Sequence, residues 1–357
     1  MIINVVGARP NFIKISPLIR EMNKNKIPNY LVHTGQHYDW NMSGAFFKQL
    51  NIPTPDKFLN VGSSSHAKQT SEIIEKFEKI CLKLNPSIVL VVGDVNSTIA
   101  CALVASKLNI KVAHVESGLR SFDKSMPEEI NRILTDHVSD FLFVTEQSGL
   151  DNLVNEGFTQ NSIHFVGNCM IDTLIESLQE SEKSNILYEN NLESKCYFLA
   201  TFHRASNVDG PNELSDIVNL INKTSENLPV VFPVHPRTKK QIMDFKLKLS
   251  GDVITLDPLP YLDFIKLLNH SKLVITDSGG IQEESTFLGI PCITCRENTE
   301  RPITIDIGTN ILVGSNMNDV GAKLPGILEN EPKENKIPPL WDGLAAKRIV
   351  KILKQFV

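Results

Sequence analysis

The chain has 357 residues, of which 41% are hydrophobic and 22% are charged, and its formal net charge at pH 7 is -5. This length exceeds one ordinary hydrophobic core and indicates two domains of typical size. The acidic balance argues against a nucleic-acid-binding protein, which usually carries a basic stripe. No apolar run approaches the roughly 18 residues that span a bilayer, and residues 1–7 lack the features of a signal peptide. We therefore expect a cytoplasmic protein with no membrane partner.

Short apolar runs alternate with amphipathic stretches through the first half of the chain. The predicted strands cover residues 2–6, 30–34, 88–92, 112–115, 141–144 and 164–166. The predicted helices cover residues 10–23, 42–50, 69–84, 99–108 and 127–138. Continuous apolar strands that alternate with helices indicate a parallel sheet covered on both faces.

The same pattern restarts after a polar stretch at residues 180–195, which is predicted to be a linker or a surface helix. Six further strands are predicted at residues 197–201, 230–234, 253–256, 273–276, 292–294 and 311–313. The sequence therefore predicts an α/β protein with two doubly wound, Rossmann-like domains. Ligands of such domains bind beyond the carboxyl ends of the strands, so the residues that follow each strand carry the functional information.

Six cysteines are spread over the chain, a usage that suits reduced thiols in the cytosol. Cys292 and Cys295 have the C-x-x-C spacing of some zinc and redox sites. They lie in an apolar, strand-like run, where residues three apart point to opposite faces. No second Cys or His pair follows at the spacing of a zinc finger, so we do not expect a metal site.

The residues after the first strand, Gly7 to Lys14, indicate an anion site. Gly7 permits a tight turn, and Pro10 begins a helix whose N-terminus offers free N–H groups to an anion. Arg9 and Lys14 add two cations near that point. The favoured interpretation is phosphate or diphosphate binding, and the alternative is a surface turn with two solvated cations.

Carboxylates follow two neighbouring strands of the first half. Asp94 comes after the predicted strand 88–92 and Glu116 directly after the strand 112–115. Glu128 and Glu129 open a predicted helix, and one of that pair could simply favour the helix dipole. Asp94 alone could be a helix cap. Grouped carboxylates shift one another's pKa and can divide acid and base roles, so together these residues predict proton-transfer chemistry.

The second half carries two histidines and a glycine turn at its strand ends. His203 stands beside Arg204 after one strand, and His235 is a similar but weaker candidate. The run Ser278-Gly279-Gly280 leads from a strand into a helix, where backbone N–H groups can approach phosphate oxygens. Glu284, one turn further, is positioned to accept ribose hydroxyls, although a helix cap followed by an acidic first turn is the alternative. Arg301 adds a cation downstream.

Taken together, these motifs resemble those of the non-hydrolysing UDP-N-acetylglucosamine 2-epimerases. The matching residues run in order from the N-terminus: Gly7-Ala8-Arg9-Pro10 with Lys14, Gly93-Asp94, His114-Val115-Glu116-Ser117-Gly118-Leu119-Arg120, Pro127-Glu128-Glu129-Ile130-Asn131-Arg132, the stretch 276–284, and Thr299-Glu300-Arg301-Pro302. The resemblance implies a GT-B-like fold with the active site in the interdomain cleft. It implies an N-terminal domain at residues 1–169, a UDP-binding domain at 170–343, and a C-terminal helix at about 344–357 that packs back on the first domain.

The resemblance also implies roles for individual residues. The catalytic group comprises three carboxylates and a histidine that faces the leaving UDP: Asp94, Glu116, Glu128 and His203. The substrate ligands are Arg9 for the diphosphate, Lys14 as an active-site cation, Phe264 for the uracil pocket, Ser278, Gly279 and Gly280 for the diphosphate cradle, Glu284 for the ribose, and Arg301. A second, allosteric substrate site of some members would involve Gln36, His37, Gln69 and His235.

The activity that this family implies is reversible inversion at carbon 2 of UDP-N-acetylglucosamine to give UDP-N-acetylmannosamine. The implied route is anti elimination of UDP to a 2-acetamidoglucal, in a homodimer that needs no metal and no nicotinamide and that supplies a precursor of surface polysaccharide. Three alternatives stay open: a 2-epimerase for a modified sugar such as UDP-2,3-diacetamido-glucuronic acid, a hydrolysing epimerase, and a GT-B glycosyltransferase. Gln36-His37 is followed here by Tyr38-Asp39, where bacterial members often carry an arginine, and this departure bears on the second site.

Overall fold

A computed structural model describes residues 1–35, 49–50, 52–317, 320–321, 324, 326 and 336–357. The described chain divides into two compact units. Unit 1 comprises Met1–Glu176 together with Pro339–Val357, and unit 2 comprises Ser177–Pro338. Among the described residues, no helix is both long enough and apolar enough to cross a membrane.

Unit 1 contains a seven-stranded sheet in which all strands are parallel. The strands are β1 (Ile2–Val6), β2 (Asn29–His33), β3 (Lys57–Phe58), β4 (Ile88–Val92), β5 (Lys111–Ser117), β6 (Phe141–Val144) and β7 (Ile163–Phe165). Their order in the sheet is β3-β2-β1-β4-β5-β6-β7. The order reverses between β1 and β4, which is the position where doubly wound sheets bind ligands.

The strands of unit 1 alternate with helices, as parallel strands require a crossover connection. The helices are α1 (Arg9–Lys24), α2 (His66–Leu84), α3 (Asn96–Lys107), α4 (Pro127–His137), α5 (Gln147–Asn155) and α6 (Cys169–Ser181), the last of which runs into unit 2. All five residues of β1 and of β4 are buried, and both strands are apolar except for Asn4 in β1. Proline at the first position of α4 fits a helix start, where its missing N–H costs nothing.

Unit 2 contains a six-stranded parallel sheet. Its strands are β8 (Phe198–Thr201), β9 (Val230–Pro233), β10 (Val253–Leu256), β11 (Leu273–Thr276), β12 (Cys292–Thr294) and β13 (Asn310–Leu312). Its described helices are α7 (Ile186–Glu189), α8 (Ala205–Val208), α9 (Pro211–Ser225), α10 (Pro236–Asp244), α11 (Tyr261–His270), α12 (Gly279–Leu288) and α13 (Ile303–Asp306). The order β10-β9-β8-β11-β12-β13 repeats that of unit 1, with the reversal between β8 and β11.

Hydrophobic clusters cover both faces of the second sheet, and they separate the two cysteines of the C-x-x-C motif. Cys292 packs in the cluster with Leu199 and Val274. Cys295 packs in the other cluster, with Ile275 and Ile293. The prediction that these thiols point to opposite faces is therefore confirmed, and burial raises the pKa of Cys292 to about 11.

The C-terminal segment completes unit 1 with helix α14 (Ala345–Leu353). Trp341 is buried, and its indole N–H donates to the carbonyl oxygen of Thr145 at 3.1 Å. Asp172 accepts the first N–H groups of α14 from Ala345 at 3.2 Å and Ala346 at 2.7 Å. A carboxylate at a helix N-terminus satisfies donors that have no partner within the helix.

The predicted fold class, an α/β protein with two doubly wound sheets, is confirmed. The predicted strands coincide with observed ones to within two residues at either end, and the structure adds β3, α5 and α6, which were not predicted. The polar stretch 180–195 contains the end of α6 and the short helix α7. Most of the predicted helix at 42–50 lies outside the described residues.

Candidate active site

In both units, several of the residues singled out in the sequence follow the strands at which the strand order reverses. In unit 1 these are Gly7 to Lys14 after β1 and Asp94 after β4. In unit 2 they are His203 after β8 and the stretch 277–280 after β11. The carboxyl ends of strands at such a reversal form the ligand crevice of doubly wound sheets.

A buried hydrogen-bond network joins the start of α1 to the end of β4. The Asn11 side-chain oxygen accepts the backbone N–H groups of Gly7 at 3.2 Å and Ala8 at 2.9 Å, and its amide donates to the Val92 carbonyl at 3.1 Å. A Cβ on Gly7 would lie 2.2 Å from the Ser97 hydroxyl oxygen, so only glycine allows this approach. The turn that sequence analysis assigned to an anion is thus held against the neighbouring strand end.

Lys14 and Glu116 form a buried ion pair at these strand ends. The Lys14 ammonium contacts Oε2 of Glu116, and their side chains are 9% and 6% exposed. A Cβ on Gly93 would lie 3.4 Å from both of these charged atoms, and Gly93 has a φ of +68°. Glycine at this position therefore leaves room for the ion pair beside the turn that carries Asp94.

The backbone of Glu116 is in the left-handed region, with a φ of +76°. The pairing of β5 with β6 shifts register between Val115 and Ser117, so Glu116 is the extra residue of a β-bulge. A non-glycine residue in this conformation costs on the order of 1–3 kcal/mol, and such strain concentrates at functional sites. The bulge turns the Glu116 side chain to the ion pair with Lys14 at the end of the strand.

Asp94 is held by α4. Its carboxylate contacts the guanidinium of Arg132, and its carbonyl oxygen accepts the Asn131 amide at 2.9 Å. The N-cap of α3 is Val95, so the helix-cap interpretation of Asp94 does not apply. The Asp94 side chain remains 27% exposed, which leaves a carboxylate that a ligand can reach.

The two adjacent glutamates at the start of α4 have different surroundings. Glu129 is buried and accepts the Ser121 N–H, the Ser121 hydroxyl and the Phe122 N–H, each at 2.9 Å, and it also contacts Arg132. Glu128 is exposed. Glu129 therefore organises the loop that precedes α4, which leaves Glu128 as the candidate for chemistry.

Arg9 lies at the start of α1 and is partly buried. Burial lowers the pKa of its guanidinium to about 10, so the side chain is still a cation at neutral pH. Unit 1 thus brings a cation at a helix N-terminus, a Lys–Glu ion pair and a second carboxylate to the adjoining ends of β1, β4 and β5.

In unit 2, Asp277 is a buried carboxylate to which no role was assigned in the sequence. Its Oδ1 lies 2.8 Å from the Nδ1 of the His203 ring. The carboxylate also accepts hydrogen bonds from the backbone N–H groups of His203 at 3.0 Å and Arg204 at 2.9 Å. Burial raises the pKa of Asp277, but the hydrogen bond and charge of His203, with the two backbone N–H groups, hold it below its ordinary value. An ionised Asp277 orients His203, whose side chain is 44% exposed.

The glycine turn after β11 packs against Arg301. A Cβ on Gly279 would lie 2.6 Å from the Arg301 Nη1, so glycine permits the guanidinium to approach the start of α12. Arg301 pairs with Glu300 at 2.5 Å and with Glu283 at 3.1 Å, and it is 7% exposed. Ser278, Gly279 and Gly280 are partly exposed, so the turn is open to a ligand.

Glu284 lies on α12 and is buried beside Tyr261. The Tyr261 hydroxyl donates to Oε1 of Glu284 at 2.9 Å. Burial raises the pKa of Glu284 to about 8, against the opposing effect of the Tyr261 hydrogen bond. Phe264, on the same helix as Tyr261, is partly buried against the hydrophobic cluster that contains Leu267 and Ile281.

The four residues assigned to a second substrate site have separate surroundings. Gln36 and His37 lie outside the described residues. Gln69 is buried in unit 1, where its side-chain oxygen accepts the Asn96 amide at 2.8 Å. His235 caps α10 in unit 2, and its ring centre is 5.9 Å from that of His203.

Three further residues contact a candidate site residue or its strand, although no role was predicted for them: Arg132, Asp136 and Asp277. Arg132 and Asp277 lie within motifs that the sequence singled out, so their positions could have marked them as site residues. No motif included Asp136, because its partners are distant in the sequence. Within the part of the chain that the structure describes, no three His, Cys, Asp or Glu side chains lie together as a metal site would require.

Two parallel sheets with this strand order, and with cations and glycine turns at their carboxyl ends, define the GT-B-like class of two-unit α/β proteins. Two solved structures of that class are UDP-GlcNAc 2-epimerases. The Methanocaldococcus jannaschii enzyme in complex with UDP-GlcNAc and UDP has a TM-score of 0.93 and 43% identity, covering 99% of this chain and 100% of that one. The Neisseria meningitidis enzyme bound to UDP-GlcNAc has a TM-score of 0.90 and 31% identity, covering 99% of each chain.

The particular family follows from the sequence comparisons. The UDP-N-acetylglucosamine 2-epimerase family model matches residues 20–354. The UDP-N-acetylglucosamine 2-epimerase of Methanocaldococcus jannaschii is 44% identical over 98% of this chain and 97% of its own. A UDP-2,3-diacetamido-2,3-dideoxy-D-glucuronate 2-epimerase of Pseudomonas aeruginosa is 45% identical over 88% of each chain. The chain belongs to the UDP-N-acetylglucosamine 2-epimerase family, and it is an epimerase.

Proposed function

We propose that this epimerase interconverts UDP-N-acetylglucosamine and UDP-N-acetylmannosamine by inverting carbon 2. The observation that carries the proposal is the buried pair of Lys14 and Glu116 beside Asp94, at the ends of neighbouring strands. Inversion at a carbon that bears hydrogen needs groups that remove a proton from one face and return one to the other, and these carboxylates are suited to that work. Two related structures contain UDP-GlcNAc, which supports the choice of sugar.

The proposed route is elimination followed by re-addition. The proton on carbon 2 is not acidic enough for simple removal, so its loss is coupled to departure of UDP from carbon 1. The electron pair of the C2–H bond forms the C1=C2 double bond of a 2-acetamidoglucal, and the electron pair of the C1–O bond leaves with UDP. A proton then returns to carbon 2 on the opposite face while UDP adds back to carbon 1, so no atom is gained or lost.

In this scheme the residues of unit 1 handle the proton. Asp94, Glu116 and Glu128 are the proposed acid and base groups, and Lys14 places a cation against Glu116. Arg9, at the start of α1, is the proposed ligand of the diphosphate. A fixed cation and free helix N–H groups stabilise the negative charge that develops on the departing UDP, which is a major source of rate enhancement.

The residues of unit 2 are proposed to hold the nucleotide. The partly exposed turn Ser278-Gly279-Gly280, with Arg301 behind it, would receive the diphosphate. Glu284 would accept the ribose hydroxyls, and Phe264 would line the uracil pocket. His203, oriented by Asp277, would face the leaving UDP.

Proton and phosphorus NMR of the protein incubated with UDP-N-acetylglucosamine tests this function. We expect UDP-N-acetylmannosamine to accumulate to an equilibrium mixture in which UDP stays attached to sugar. Free N-acetylmannosamine with stoichiometric UDP would instead identify a hydrolysing epimerase. No reaction until an acceptor sugar is added would indicate a glycosyltransferase and would contradict the proposal.

A second candidate substrate is UDP-2,3-diacetamido-2,3-dideoxy-D-glucuronate. The observation that favours it is the 45% identity to the Pseudomonas aeruginosa enzyme, which is as high as the 44% identity to the Methanocaldococcus jannaschii enzyme. Both reactions invert carbon 2, so the same carboxylates would serve either sugar. Comparing kcat/KM for the two UDP-sugars decides between them, and a higher value for the diacetamido sugar would replace the proposed substrate.

We further propose that the protein acts as a cytoplasmic homodimer and supplies a precursor of surface polysaccharide. The family resemblance supports both statements. Light scattering on the purified protein tests the oligomeric state, and a molar mass of twice 39.9 kDa is the expected result. A mass of one chain at micromolar concentration would contradict it.

A further inference from the structure

A buried cluster behind the strand ends suggests how Glu116 is kept in its strained conformation. Asp136, on α4, is fully buried and bonds to residues on both sides of Glu116. Its Oδ1 is hydrogen-bonded to the ring Nδ1 of His114 at 2.7 Å, and its Oδ2 accepts a hydrogen bond from the backbone N–H of Gly118 at 3.1 Å. His114 and Gly118 lie two residues before and two residues after Glu116, so one carboxylate clamps both flanks of the β-bulge.

The other side of the His114 ring reaches the turn that carries Asp94. The ring Nε2 lies 2.8 Å from the carbonyl oxygen of Gly93, the residue directly before Asp94. The Gly93 N–H in turn donates to the Val115 carbonyl at 3.1 Å. His114 therefore links the turn after β4 to the bulge in β5, and these two segments carry two of the proposed proton-transfer groups.

The hydrogen-bond partners of His114 define its charge. A backbone carbonyl oxygen can only accept, so Nε2 must carry a proton. Asp136 also accepts the Gly118 N–H and pairs with Arg120 at 2.7 Å, which favours its ionised form. Burial raises the pKa of Asp136, but the interactions with His114 and Arg120 outweigh it and hold the pKa below its ordinary value. Because an ionised carboxylate can only accept, Nδ1 must carry a proton as well.

The charged groups around His114 are paired with one another within the protein. Asp136 lies between the His114 ring and the Arg120 guanidinium, and Arg120 reaches outward to Glu156 at 2.7 Å. Two cations and two carboxylates therefore alternate along one chain of contacts. A buried charge persists only when it is paired and hydrogen-bonded, and each group here meets that condition.

We propose that Asp136 and His114 are positioning residues for the epimerisation, holding the left-handed bulge at Glu116 and the Gly93 turn so that Glu116 and Asp94 keep a fixed separation. The proposal rests on the proposed function, because it assigns a purpose to the geometry of those two carboxylates. Neither positioning residue needs to touch the substrate.

The protonation state of His114 can be measured directly on the intact protein. With histidine labelled in nitrogen-15, the ring of His114 should show protons on both nitrogens, as its two hydrogen-bond partners require. His114→Gln should remove that signal and so assign it. A His114 ring with one bare nitrogen would overturn the imidazolium assignment.

The positioning role is tested by Asp136→Asn against Asp140→Asn. Asp140 is a matched control, because its carboxylate also accepts a backbone N–H of β5, from Val112 at 2.8 Å, but at the end of the strand away from Glu116. Asp136→Asn keeps the side-chain shape yet cannot accept from both flanks of the bulge. Misplacing a reacting group by about 1 Å can cost 10²-fold in rate, so we expect kcat to fall roughly 10²-fold while KM and UDP affinity change little.

Asp140→Asn should keep the wild-type kcat. A kcat for Asp136→Asn equal to that of Asp140→Asn, in folded protein that binds UDP, would overturn the positioning role while the proposed function stood. If Asp136→Asn does not fold, His114→Gln makes the same test, since it removes the bridge to Gly93 but leaves Asp136 bonded to Gly118. If wild-type protein failed to epimerise either UDP-sugar, the proposed function would fail, whereas the nitrogen-15 spectrum would still report on His114.

Discussion

The two sets of strand ends use carboxylates in different ways, although the two sheets share one strand order. In unit 1, Glu116 contacts Lys14 and Asp94 contacts Arg132, so each of these carboxylates at the strand ends faces a cation side chain. In unit 2, the Asp277 carboxylate is hydrogen-bonded to backbone N–H groups and to His203, and Glu284 is buried against the hydroxyl of Tyr261. The difference is consistent with the proposal that unit 1 carries the proton-transfer groups and unit 2 carries most of the nucleotide ligands.

The largest effect that this comparison predicts is on the carboxylates of unit 1. Asp94→Asn and Glu116→Gln should each lower kcat by about 10²–10⁴-fold, because a general acid or base typically contributes that much. Their affinity for UDP, measured by calorimetry, should change little, since the nucleotide is assigned to other residues. Glu75→Gln, at an exposed glutamate paired with Lys79, is the matched control and should turn over normally. Near-normal kcat in both site variants would contradict the division of roles.

Glu128 and Glu129, which are adjacent at the start of α4, test whether a catalytic and a structural carboxylate can be told apart within one helical turn. Glu128→Gln should lower kcat, by about 10²-fold at the low end for an acid or base, with little loss of stability. Glu129→Gln should instead lower the free energy of unfolding, because Glu129 is buried, contacts Arg132 and accepts two backbone N–H groups. Urea titration alongside initial rates separates the two outcomes. The reverse pattern would show that Glu129 is the group that acts on the substrate.

A smaller effect is expected where a cation holds the diphosphate. Arg9→Ala should weaken UDP binding by roughly 10- to 150-fold, which corresponds to about 1.5–3 kcal/mol for a lost charge-assisted hydrogen bond. Calorimetry with UDP measures this directly. Lys239→Ala is the control, because Lys239 is an exposed cation paired with Asp257 on unit 2. Equal UDP affinity in Arg9→Ala and Lys239→Ala would place the diphosphate elsewhere.

The most gradual effect concerns the pH dependence of stability that Glu284 contributes. Burial raises the pKa of folded Glu284 to about 8, whereas its ordinary value is 4.5. Between these values the folded protein holds a proton that the unfolded chain has released, so this contribution falls as pH rises. Glu284→Gln cannot ionise. Its stability relative to wild type should therefore rise with pH in that window, by at most about 1.4 kcal/mol per pH unit.

Urea titrations of wild type and Glu284→Gln at pH 5.5 and pH 8 measure that difference. Glu226→Gln, at an exposed glutamate of the same unit, is the control and should show no such trend. A Glu284→Gln variant that loses stability relative to wild type as pH rises would mean that Glu284 is ionised in the folded protein at neutral pH.

Local sequence patterns predicted much of the fold and many candidate residues. The predicted strands 141–144, 253–256 and 273–276 coincide with β6, β10 and β11. β6 and β11 are buried throughout, and buried parallel strands are short apolar runs bounded by polar residues. The residues after β1, β4, β8 and β11 were selected for the same reason: a doubly wound sheet gathers its ligand groups at those ends. These inferences need only neighbouring residues and a known architecture.

Long-range contacts were beyond this kind of inference. Asp136 meets His114 across 22 residues of sequence, and Asp277 meets His203 across 74. His114, His203 and Asp277 stood within motifs that the sequence singled out, but no local pattern showed which residues they contact. The left-handed backbone of Glu116 was equally hidden, since a glutamate has no intrinsic preference for that region and the bulge arises from pairing with β6. Such positions are imposed by tertiary structure, and they are where the proposed chemistry resides.

The central claim is that carbon 2 exchanges its proton through protein carboxylates, and turnover of UDP-N-acetylglucosamine in deuterium oxide tests it most directly. Proton NMR should show deuterium entering carbon 2 of both epimers as equilibrium is approached, because a carboxylate that has taken the proton exchanges it with solvent. Glu116→Gln should slow this exchange together with turnover. Full retention of the original carbon 2 proton in both epimers, at wild-type turnover, would contradict the account.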